Sequence, residues 1–321
     1  MIFYCLLAVS SIVSIDNLEP LVADCQFCTE NPVPMCDAYL KPCTYSPFRC
    51  DNFWTGFEIL IWRACEDGFS NSFGDVSIVN KIAGILTTTT FTQTNKDLDF
   101  DWDAAFRASI GYDFAHCGTD LGFYWTRFYQ KTNTRDGINR AHWQLHFDTI
   151  DGACGHHFWV DTCIDLFPFA TLRYAQIAQR LNIDLKTIYT APTEITHITT
   201  TSRNGQKLRA LGPIFGLKTD WYLRCGFSIY GTIDTGILYG YFKTENQNED
   251  RSLAVSKMTH CKGHSCASPF VIDLGIGIRY ETQYVTLRTG LEHHRYSEFN
   301  QIGCPGSLNL FGANLGLEIH Y

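Results

Sequence analysis

Apolar and polar residues alternate along several segments of this chain, most clearly in residues 99–114, 226–242 and 268–281. In the first of these, Trp102 and every second residue after it form an apolar series, while Arg107 lies in the more polar series between them. Alternation with a period of two predicts extended strands with one apolar face. No helical periodicity persists for long, so the pattern favours an all-β fold.

The last eight residues, "NLGLEIHY", show the same alternation and end on an aromatic residue. Leu315, Leu317, Ile319 and Tyr321 share one face, and polar residues or glycine occupy the other. A soluble sheet with one wet face gives the same alternation, so this segment alone does not distinguish a membrane strand from a soluble one.

Ten segments of the chain are predicted as strands. They lie near 54–63, 102–114, 120–130, 142–158, 164–180, 207–221, 226–242, 268–281, 283–294 and 309–321. The segment 142–158 requires a bulge or break, because its alternation fails around Ile150. Strand-like sequence within 64–101 and 181–206 allows extra hairpins, so we expect about 10–14 strands, with 16 not excluded.

The connections between these strands alternate between long and short. The long ones are polar and cover 64–101, 131–141, 181–206, 243–267 and 295–308. The short ones cover 115–119, 159–163, 222–225 and 281–283. Long loops at one end and short turns at the other are typical of an outer-membrane barrel. The sequence therefore predicts a transmembrane, antiparallel, up-and-down β-barrel.

Most tryptophans lie at or beside the ends of the predicted strands. Aromatic rings prefer the headgroup level, and barrels carry an aromatic girdle at each interface. The residues predicted for such a girdle are Trp54, Trp62, Trp102, Trp143, Trp159, Trp221 and Tyr321. The alternative is that these aromatic residues close the ends of a soluble barrel.

Composition and charge narrow the function classes. Aromatic residues make up 14% of the 321 residues, and charged residues only 18%, below the ~25% of typical soluble domains. Past residue 15 there is no apolar run of about 18 residues, which argues against transmembrane helices. The net charge of −8 and the absence of a basic stripe argue against a nucleic-acid partner.

The N-terminal region is predicted to consist of two parts preceding a barrel over residues 54–321. Residues 1–15, "MIFYCLLAVSSIVSI", are mostly apolar and suit a signal peptide, although no basic residues precede the apolar run. A buried first strand is the alternative. Residues 16–53 form a cysteine-rich segment, which we expect to lie in the periplasm.

The chain contains fourteen cysteines, which suits an oxidising compartment. The disulfide candidates are Cys25, Cys28, Cys36, Cys43, Cys50, Cys117, Cys163, Cys225, Cys261, Cys266 and Cys304. Cys261 is expected to pair with Cys266 or with Cys304. The others form either intrachain bridges or crosslinks to neighbouring proteins. The segment "HCKGHSC" fits no familiar zinc spacing, so we predict no metal and no cofactor.

Charged residues on the polar faces of the strands would point into the barrel lumen. The main candidates are Glu58, Arg107, Arg173, Lys218, Asp234, Asp273, Arg279, Arg288 and Glu292. Mixed charges suit either a hydrated pore or an ion-paired, filled interior. With Asp103, Asp113, Asp220, Glu281 and Glu318 there are nine acids and five bases, which favours a mild cation preference. Ser109 and Ser228 face the lumen without a nucleophile motif, so no enzymatic activity is predicted.

An ordered set of motifs resembles the major outer membrane protein-like, pore-forming family of chlamydia-related bacteria and Legionella. The motifs are "FEILIWRACEDG", "DFDWDAAFRASIGYDF", "WTRFY", "WQLHFDTID", "FPFATLRYA", "LGPIFGLKTDWYLRCGFSIYG" and "LEHHRY". The resemblance implies a barrel porin of the bacterial outer membrane and, in chlamydial relatives, an envelope stiffened by disulfides. The best-known chlamydial porin has more strands than the ten counted here.

Two functions from different classes follow from these observations. The first is a porin that passes small polar solutes by diffusion, with disulfides reinforcing the envelope. The second is a non-conducting structural barrel anchored by disulfide crosslinks. Expected partners are outer-membrane lipid, further copies of the chain and other cysteine-rich envelope proteins. A soluble disulfide-rich β protein is the third, least favoured reading.

Overall fold

The structure is a computed structural model, and several stretches of the chain lie outside its described residues. The described residues are 52–66, 77–82, 85–90, 100–114, 118–136, 139–161, 163–190, 195–223, 225–251, 256–300 and 306–321. The predicted signal peptide, nearly all of the cysteine-rich segment, Cys117 and Cys304 fall outside them. No helix in the described part of the chain is long and apolar enough to cross a membrane.

The described residues form fifteen strands, numbered in chain order. They are β1 (Asn52–Glu66), β2 (Ser77–Ile82), β3 (Ile85–Thr90), β4 (Asp103–Phe114), β5 (Thr119–Asp136), β6 (Asn139–His156), β7 (Phe158–Asp161), β8 (Ile164–Thr190), β9 (Ile195–Tyr222), β10 (Phe227–Ile237), β11 (Tyr239–Arg251), β12 (Ser256–Ala267), β13 (Phe270–Glu281), β14 (Val285–Asn300) and β15 (Gly306–His320).

Ten of these strands close into an antiparallel barrel in the order β1-β4-β5-β6-β8-β9-β10-β13-β14-β15. The last strand returns to the first, with Leu60 opposite Asn314. The predicted all-β antiparallel barrel is therefore confirmed, and its strand number lies at the lower end of the predicted range. Each of the ten predicted segments corresponds to one barrel strand.

Three further strands extend the sheet outside the closed ring. β7 pairs with β8, and β11 continues the direction of β10 after Leu238 and pairs with the far half of β9. β12 pairs in turn with β11. The strand-like sequence within 64–101 forms a separate β2–β3 hairpin, so it does not widen the barrel.

The predicted long loops are largely β-hairpins that continue the barrel strands. β5 and β6 remain paired up to Asp136 and Asn139, and β8 and β9 up to Thr190 and Ile195. The connections predicted as long and polar at 131–141, 181–206 and 243–267 are thus largely paired strand, and the extra hairpin allowed within 181–206 is an extension of β8 and β9 that does not widen the barrel. Pairing satisfies the backbone donors and acceptors of these polar segments, which an irregular loop would leave to water. We call this end of the barrel the long-hairpin end.

The opposite end carries the short connections and is called the short-turn end. One of its turns places Cys225 and Gly226 at φ values of 58° and 78°. Glycine adopts such a left-handed conformation without steric cost. A Cβ at Gly226 would also lie 2.5 Å from the carbonyl oxygen of Glu281, so this turn requires glycine for space as well.

The bulge or break predicted around Ile150 is absent, although the 142–158 segment is interrupted later, where β6 ends at His156 and β7 begins at Phe158. β6 pairs with β5 without a register shift from Asn139 to His156. The apolar alternation fails there because the inward positions Asp151, Ala153 and Gly155 line a polar cavity. The hydrophobic pattern changes at this place, whereas the backbone pairing continues.

The outward face of the barrel is a broad apolar belt. Leu315, Leu317, Ile319 and Tyr321 are exposed, whereas His320 between the last two is buried. Other strands contribute large exposed side chains in the same way: Ile59, Ile110, Phe123, Leu172, Phe215, Ile233, Leu274, Ile276 and Leu291. The facing predicted from the alternation is thus found in the structure.

The interior at the long-hairpin end is filled by an apolar cluster, which we call the apolar plug. Its large members are Leu60, Trp62, Phe100, Phe128, Trp143, Leu145, Phe147, Ile177, Leu181, Leu208, Ile214, Leu238, Phe242, Val271, Tyr296, Phe299, Leu308 and Leu310. Most of them have no solvent exposure at all. Rings pack edge to face within it, with the Phe100 and Trp143 centroids 4.9 Å apart.

Candidate functional site

A polar cavity of about 460 Å³ occupies the barrel interior between the apolar plug and the short-turn end. All nine lumen candidates named from the sequence line it: Glu58, Arg107, Arg173, Lys218, Asp234, Asp273, Arg279, Arg288 and Glu292. The lining contains four further aspartates and one further glutamate: Asp113, Asp120, Asp151, Asp165 and Glu318. The wall is therefore strongly charged and carries more acids than arginines and lysines.

The inner end of the cavity is crossed by what we call the ion-pair belt, formed by Glu58, Arg107, Asp151, Arg173, Asp273, Arg288, Glu292 and His294. On one side, Arg107 Nη1 donates to Glu58 Oε2 at 3.1 Å and to Glu292 Oε2 at 3.2 Å. Arg288 pairs with the same Glu58. These contacts connect β1, β4 and β14 across the lumen.

Arg173 holds the other side of the belt. Its Nε and Nη2 donate to the two oxygens of Asp151 at 2.8 and 3.1 Å, and its Nη1 donates to Asp273 Oδ2 at 2.5 Å. His294 Nδ1 lies 2.9 Å from Asp273 Oδ1. Bidentate arginine–carboxylate pairs have a fixed geometry, so they hold β6, β8 and β13 at a set spacing.

The apolar plug and the ion-pair belt are joined directly. Trp62 Nε1 donates to Glu292 Oε1 at 2.8 Å, and the Trp62 ring lies 5.0 Å from that of His294. Arg173 Nη1 also lies 3.5 Å from the hydroxyl of Tyr296, a plug residue. The transition from the apolar to the charged half of the interior therefore takes place within one layer of side chains.

A second charged group lies at the short-turn end of the cavity. His157, which follows the last residue of β6, is 2.5 Å from Asp165 Oδ2 through Nδ1 and 2.9 Å from Asp120 Oδ2 through Nε2. Burial alone would lower the pKa of His157, but hydrogen bonds to the two carboxylates and their charges raise it to about 9. The imidazole is therefore a cation at neutral pH.

Solvent reaches the cavity wall unevenly. The side chains of His157 and Lys218 are 28% and 25% exposed and that of Arg288 in the belt is 24% exposed, whereas that of Arg173 in the belt is 8% exposed. Beyond the belt, the plug residues Trp143 and Leu145 have no exposure. Within the described part of the chain, solvent therefore reaches the cavity but not these plug side chains.

The predicted aromatic girdle is wrong for three residues. Trp54, Trp62 and Trp143 are 5%, 1% and 0% exposed and lie inside the barrel. Trp54 and Trp62 share the parity of the inward Glu58, and their indole N–H groups donate to Asp113 and Glu292. Trp143 packs within the apolar plug, and its Nε1 has no hydrogen-bond partner among the described residues. The remaining members, Trp102, Trp159, Trp221 and Tyr321, are exposed.

The predicted Cys261–Cys266 disulfide is also wrong. Both residues lie on β12, opposite Asn246 and Tyr241 of β11. Five residues of extended strand separate their Cα atoms by roughly 16 Å, far beyond the ~7 Å limit for a disulfide. Both thiols are free and exposed.

The other cysteine candidates are spread over both ends of the barrel. Cys65 is free and exposed near the long-hairpin end. Cys163 and Cys225 lie at the short-turn end. Five candidates fall outside the described residues: Cys25, Cys28, Cys36, Cys43 and Cys50.

Sequence reasoning missed several residues of the site, among them Asp120, Asp151, Asp165, His157 and His294. His294 shares the alternation of Arg288 and Glu292, so the parity of β14 already placed it inside. His157 has no such signal, because it lies beyond the last paired residue of β6. In the part of the chain that the structure describes, no group of three or more His, Cys, Asp or Glu residues is arranged to hold a metal ion.

A family model described as the Legionella pneumophila major outer membrane protein precursor matches residues 45–309 of this chain. The match covers nine of the ten barrel strands in full and the first four residues of β15. A search of curated proteins finds no match.

Several solved outer-membrane structures are similar in part. The outer membrane protease OmpT from Escherichia coli is 11% identical, with 84% of this chain and 97% of that chain covered and a TM-score of 0.45. The translocator domain of the autotransporter NalP from Neisseria meningitidis is 8% identical, with 84% and 88% covered and a TM-score of 0.35. The KdgM porin is 7% identical, with 82% and 99% covered and a TM-score of 0.26.

Proposed function

The chain belongs to the family of the Legionella pneumophila major outer membrane protein, and from this premise we propose that it is a non-conducting structural barrel of the cell envelope. Its location is the bacterial outer membrane, in agreement with the family and with the apolar belt on its surface. The proposal includes no catalytic activity.

The apolar plug is the observation that supports this function. The interior of an eight-stranded barrel is just wide enough for side chains to fill it. A ring of ten strands encloses little more space. In this chain Trp62, Trp143, Phe128, Phe147 and Phe299 all occupy that space with at most 2% exposure. A hydrated solute would have to displace close-packed rings to pass, at a cost of several kcal/mol for each large side chain removed from its site.

The position of three free thiols supports a role in crosslinking. Cys65, Cys261 and Cys266 are exposed, and all three lie toward the long-hairpin end. Among the described residues none of the three has a disulfide partner, and exposed thiols in an oxidising compartment form disulfides with neighbouring chains. We expect non-reducing gels of oxidised envelopes to show this chain in high-mass species, and serine replacement of all three cysteines to reduce them. Migration purely as a monomer before replacement would contradict the crosslinking part of the proposal.

Liposome swelling tests the non-conducting part. Proteoliposomes that contain the refolded wild-type chain should swell in an isosmotic solution of a small neutral sugar no faster than protein-free liposomes. A Trp62→Ala, Phe147→Ala double variant removes two plug rings whose centroids are 6.0 Å apart, and it should swell faster. Wild-type swelling at the rate of an open porin would reject the proposal.

Passive diffusion of small polar solutes is the second candidate function, and the polar cavity favours it. Charged residues line the cavity down to the ion-pair belt, and its outer part reaches solvent. Conduction would require the plug to move. The excess of acids over arginines and lysines in the wall would then favour cations. The same swelling experiment separates the two candidates.

A further inference from the structure

Four polar atoms near the short-turn end of the interior are buried without a hydrogen-bond partner among the described residues. They are Asp165 Oδ1, Asp220 Oδ1, Ser228 Oγ and Arg279 Nε. The exposed fraction of the four residues is 1%, 1%, 1% and 8%. Leaving such a group unpaired costs about 1–3 kcal/mol, so four in one region call for a physical explanation.

These atoms come from four neighbouring strands, β8, β9, β10 and β13. Asp165 lies directly opposite Asp220, and Ser228 directly opposite Arg279. The Arg279 guanidinium reaches back over β10, with Nη1 3.3 Å from Asp220 Oδ2. The backbones at Asp165 and Arg279 are three strand spacings apart, but the guanidinium spans this gap by contacting Asp220, whose Cβ lies about 5 Å from that of the opposed Asp165. The acceptor at Asp165 and the donor at Arg279 therefore flank the same residue.

Both ends of this arrangement belong to residues that line the cavity. Asp165, Arg279 and Lys218 line the cavity wall, whereas Asp220 and Ser228 lie behind them. His157 holds the other oxygen of Asp165, which leaves Oδ1 without a partner among the described residues. Lys218 Nζ is 3.4 Å from Asp220 and 25% exposed, so it can turn toward the cavity.

We propose that this wall binds a zwitterionic α-amino acid, with its ammonium group on Asp165 Oδ1 and its carboxylate on Arg279 Nε and Lys218 Nζ. An ammonium group donates up to three hydrogen bonds and a carboxylate accepts from several donors, which matches one free acceptor and two nearby cations. The cavity of about 460 Å³ lies within the usual range for small-molecule sites.

Ligands with a single charge fit this wall less well. A simple cation at Asp165 would also meet Arg279 and Lys218, and a simple anion at Arg279 would meet Asp165 and Asp220. Like charges at such distances repel strongly in a partly desolvated site. Ordered water is the alternative occupant, and it would give no preference for a molecule with both charges. The binding does not depend on whether the barrel conducts.

Equilibrium dialysis of the folded barrel in detergent micelles tests the proposal with three probes: radiolabelled glycine, ethanolamine and acetate. Ethanolamine carries only the ammonium group, and acetate only the carboxylate. We expect glycine to bind at least tenfold more tightly than either, because each charge-assisted hydrogen bond lost is worth about one order of magnitude in affinity. Equal binding of the three probes, or no glycine binding at millimolar concentration, would overturn the inference.

Two variants locate the site. Asp165→Asn and Arg279→Gln should each lower glycine affinity about ten- to hundredfold. The matched controls are Asp148→Asn and Arg127→Gln. These two residues face each other on the outer side of β6 and β5, and their side chains are 28% and 54% exposed. Both control variants should bind glycine like the wild type. Heat-modifiable migration confirms that each variant folds. If Asp165→Asn does not fold, Lys218→Met serves in its place, since Lys218 is partly exposed. Unchanged glycine affinity in the folded variants would contradict the site, whatever the liposome result.

Discussion

Trp62 and Glu292 meet inside the barrel, with the indole Nε1 of one 2.8 Å from the carboxylate Oε1 of the other. The two residues lie on β1 and β14, with β15 between them. Trp62 belongs to the apolar plug and Glu292 to the ion-pair belt. This hydrogen bond therefore joins the half of the interior that excludes water to the half that carries charge.

Replacing Trp62 by phenylalanine should keep the ring packing and remove only the donor. Glu292 Oε1 would lose its indole partner, so we expect a loss of about 1–3 kcal/mol in the free energy of unfolding. Denaturant unfolding in detergent micelles measures it. Trp102→Phe is the control, because Trp102 is 51% exposed on the outer face. Equal effects of the two substitutions would show that the buried hydrogen bond contributes nothing.

Because Arg173 holds one side of the ion-pair belt, its substitution should lower the free energy of unfolding by a large amount. Arg173→Gln leaves Asp151 and Asp273 without their shared cation, and breaking a buried pair in this way costs about 3–5 kcal/mol. Arg127→Gln removes an arginine from an exposed pair with Asp148, which should cost at most ~1 kcal/mol. The free energy of unfolding in micelles is again the measurement. A loss at Arg173 no larger than at Arg127 would show that the belt does not hold the strands together.

The apolar belt predicts that a polar substitution is costly at Ile276, which faces lipid, and is tolerated at its neighbour Gly275, which faces the cavity. Ile276→Arg places a charge on the lipid side near the middle of the strand and should cost about 2–4 kcal/mol. Gly275→Ser adds a side chain on the cavity side, where a new Cβ would have its nearest contact at 3.4 Å, so its cost should stay below ~1 kcal/mol. Folding into lipid bilayers of defined thickness measures both. A serine effect as large as the arginine effect would mean that the facing of β13 is misassigned.

His157 predicts a loss of stability at alkaline pH. Its pKa is raised from 6.5 to about 9 in the folded chain, so the protonated form is stabilised by folding. That contribution is complete below pH 6.5 and disappears as the pH rises through 9. Denaturation midpoints of the wild type and His157→Gln between pH 6 and 10 should therefore converge as the pH rises. Parallel curves over this range would exclude the charged imidazole.

The fold was predictable from the sequence because alternation is a local signal. Leu315 and Leu317 show their facing by spacing alone, and each barrel strand contains a similar series. The hairpin extensions at 131–141 and 243–267 were missed because segments such as 243–251 are polar on both faces, so no alternation marks them as strands. Backbone pairing beyond a membrane needs no apolar face.

The interior was less predictable than the outer face. Glu58 and Arg107 were placed inside by parity, yet nothing in the sequence indicated which cation meets which acid across the lumen. The apolar plug was missed because both faces of β1 are apolar near its end: Ile59 and Ile61 face out, and Leu60 and Trp62 face in. In the structure, one apolar face of this part of β1 meets lipid and the other packs inside the barrel. The sequence pattern alone does not show which apolar face is which.

Single-channel recording in planar lipid bilayers tests the closed interior most directly. With the refolded wild-type chain inserted, as verified by heat-modifiable migration of the same preparation, we predict no conductance steps, while the Trp62→Ala, Phe147→Ala variant gives small ones. Regular, long-lived steps from the wild type, of the size of an open porin and without any plug substitution, would contradict an interior closed by these side chains.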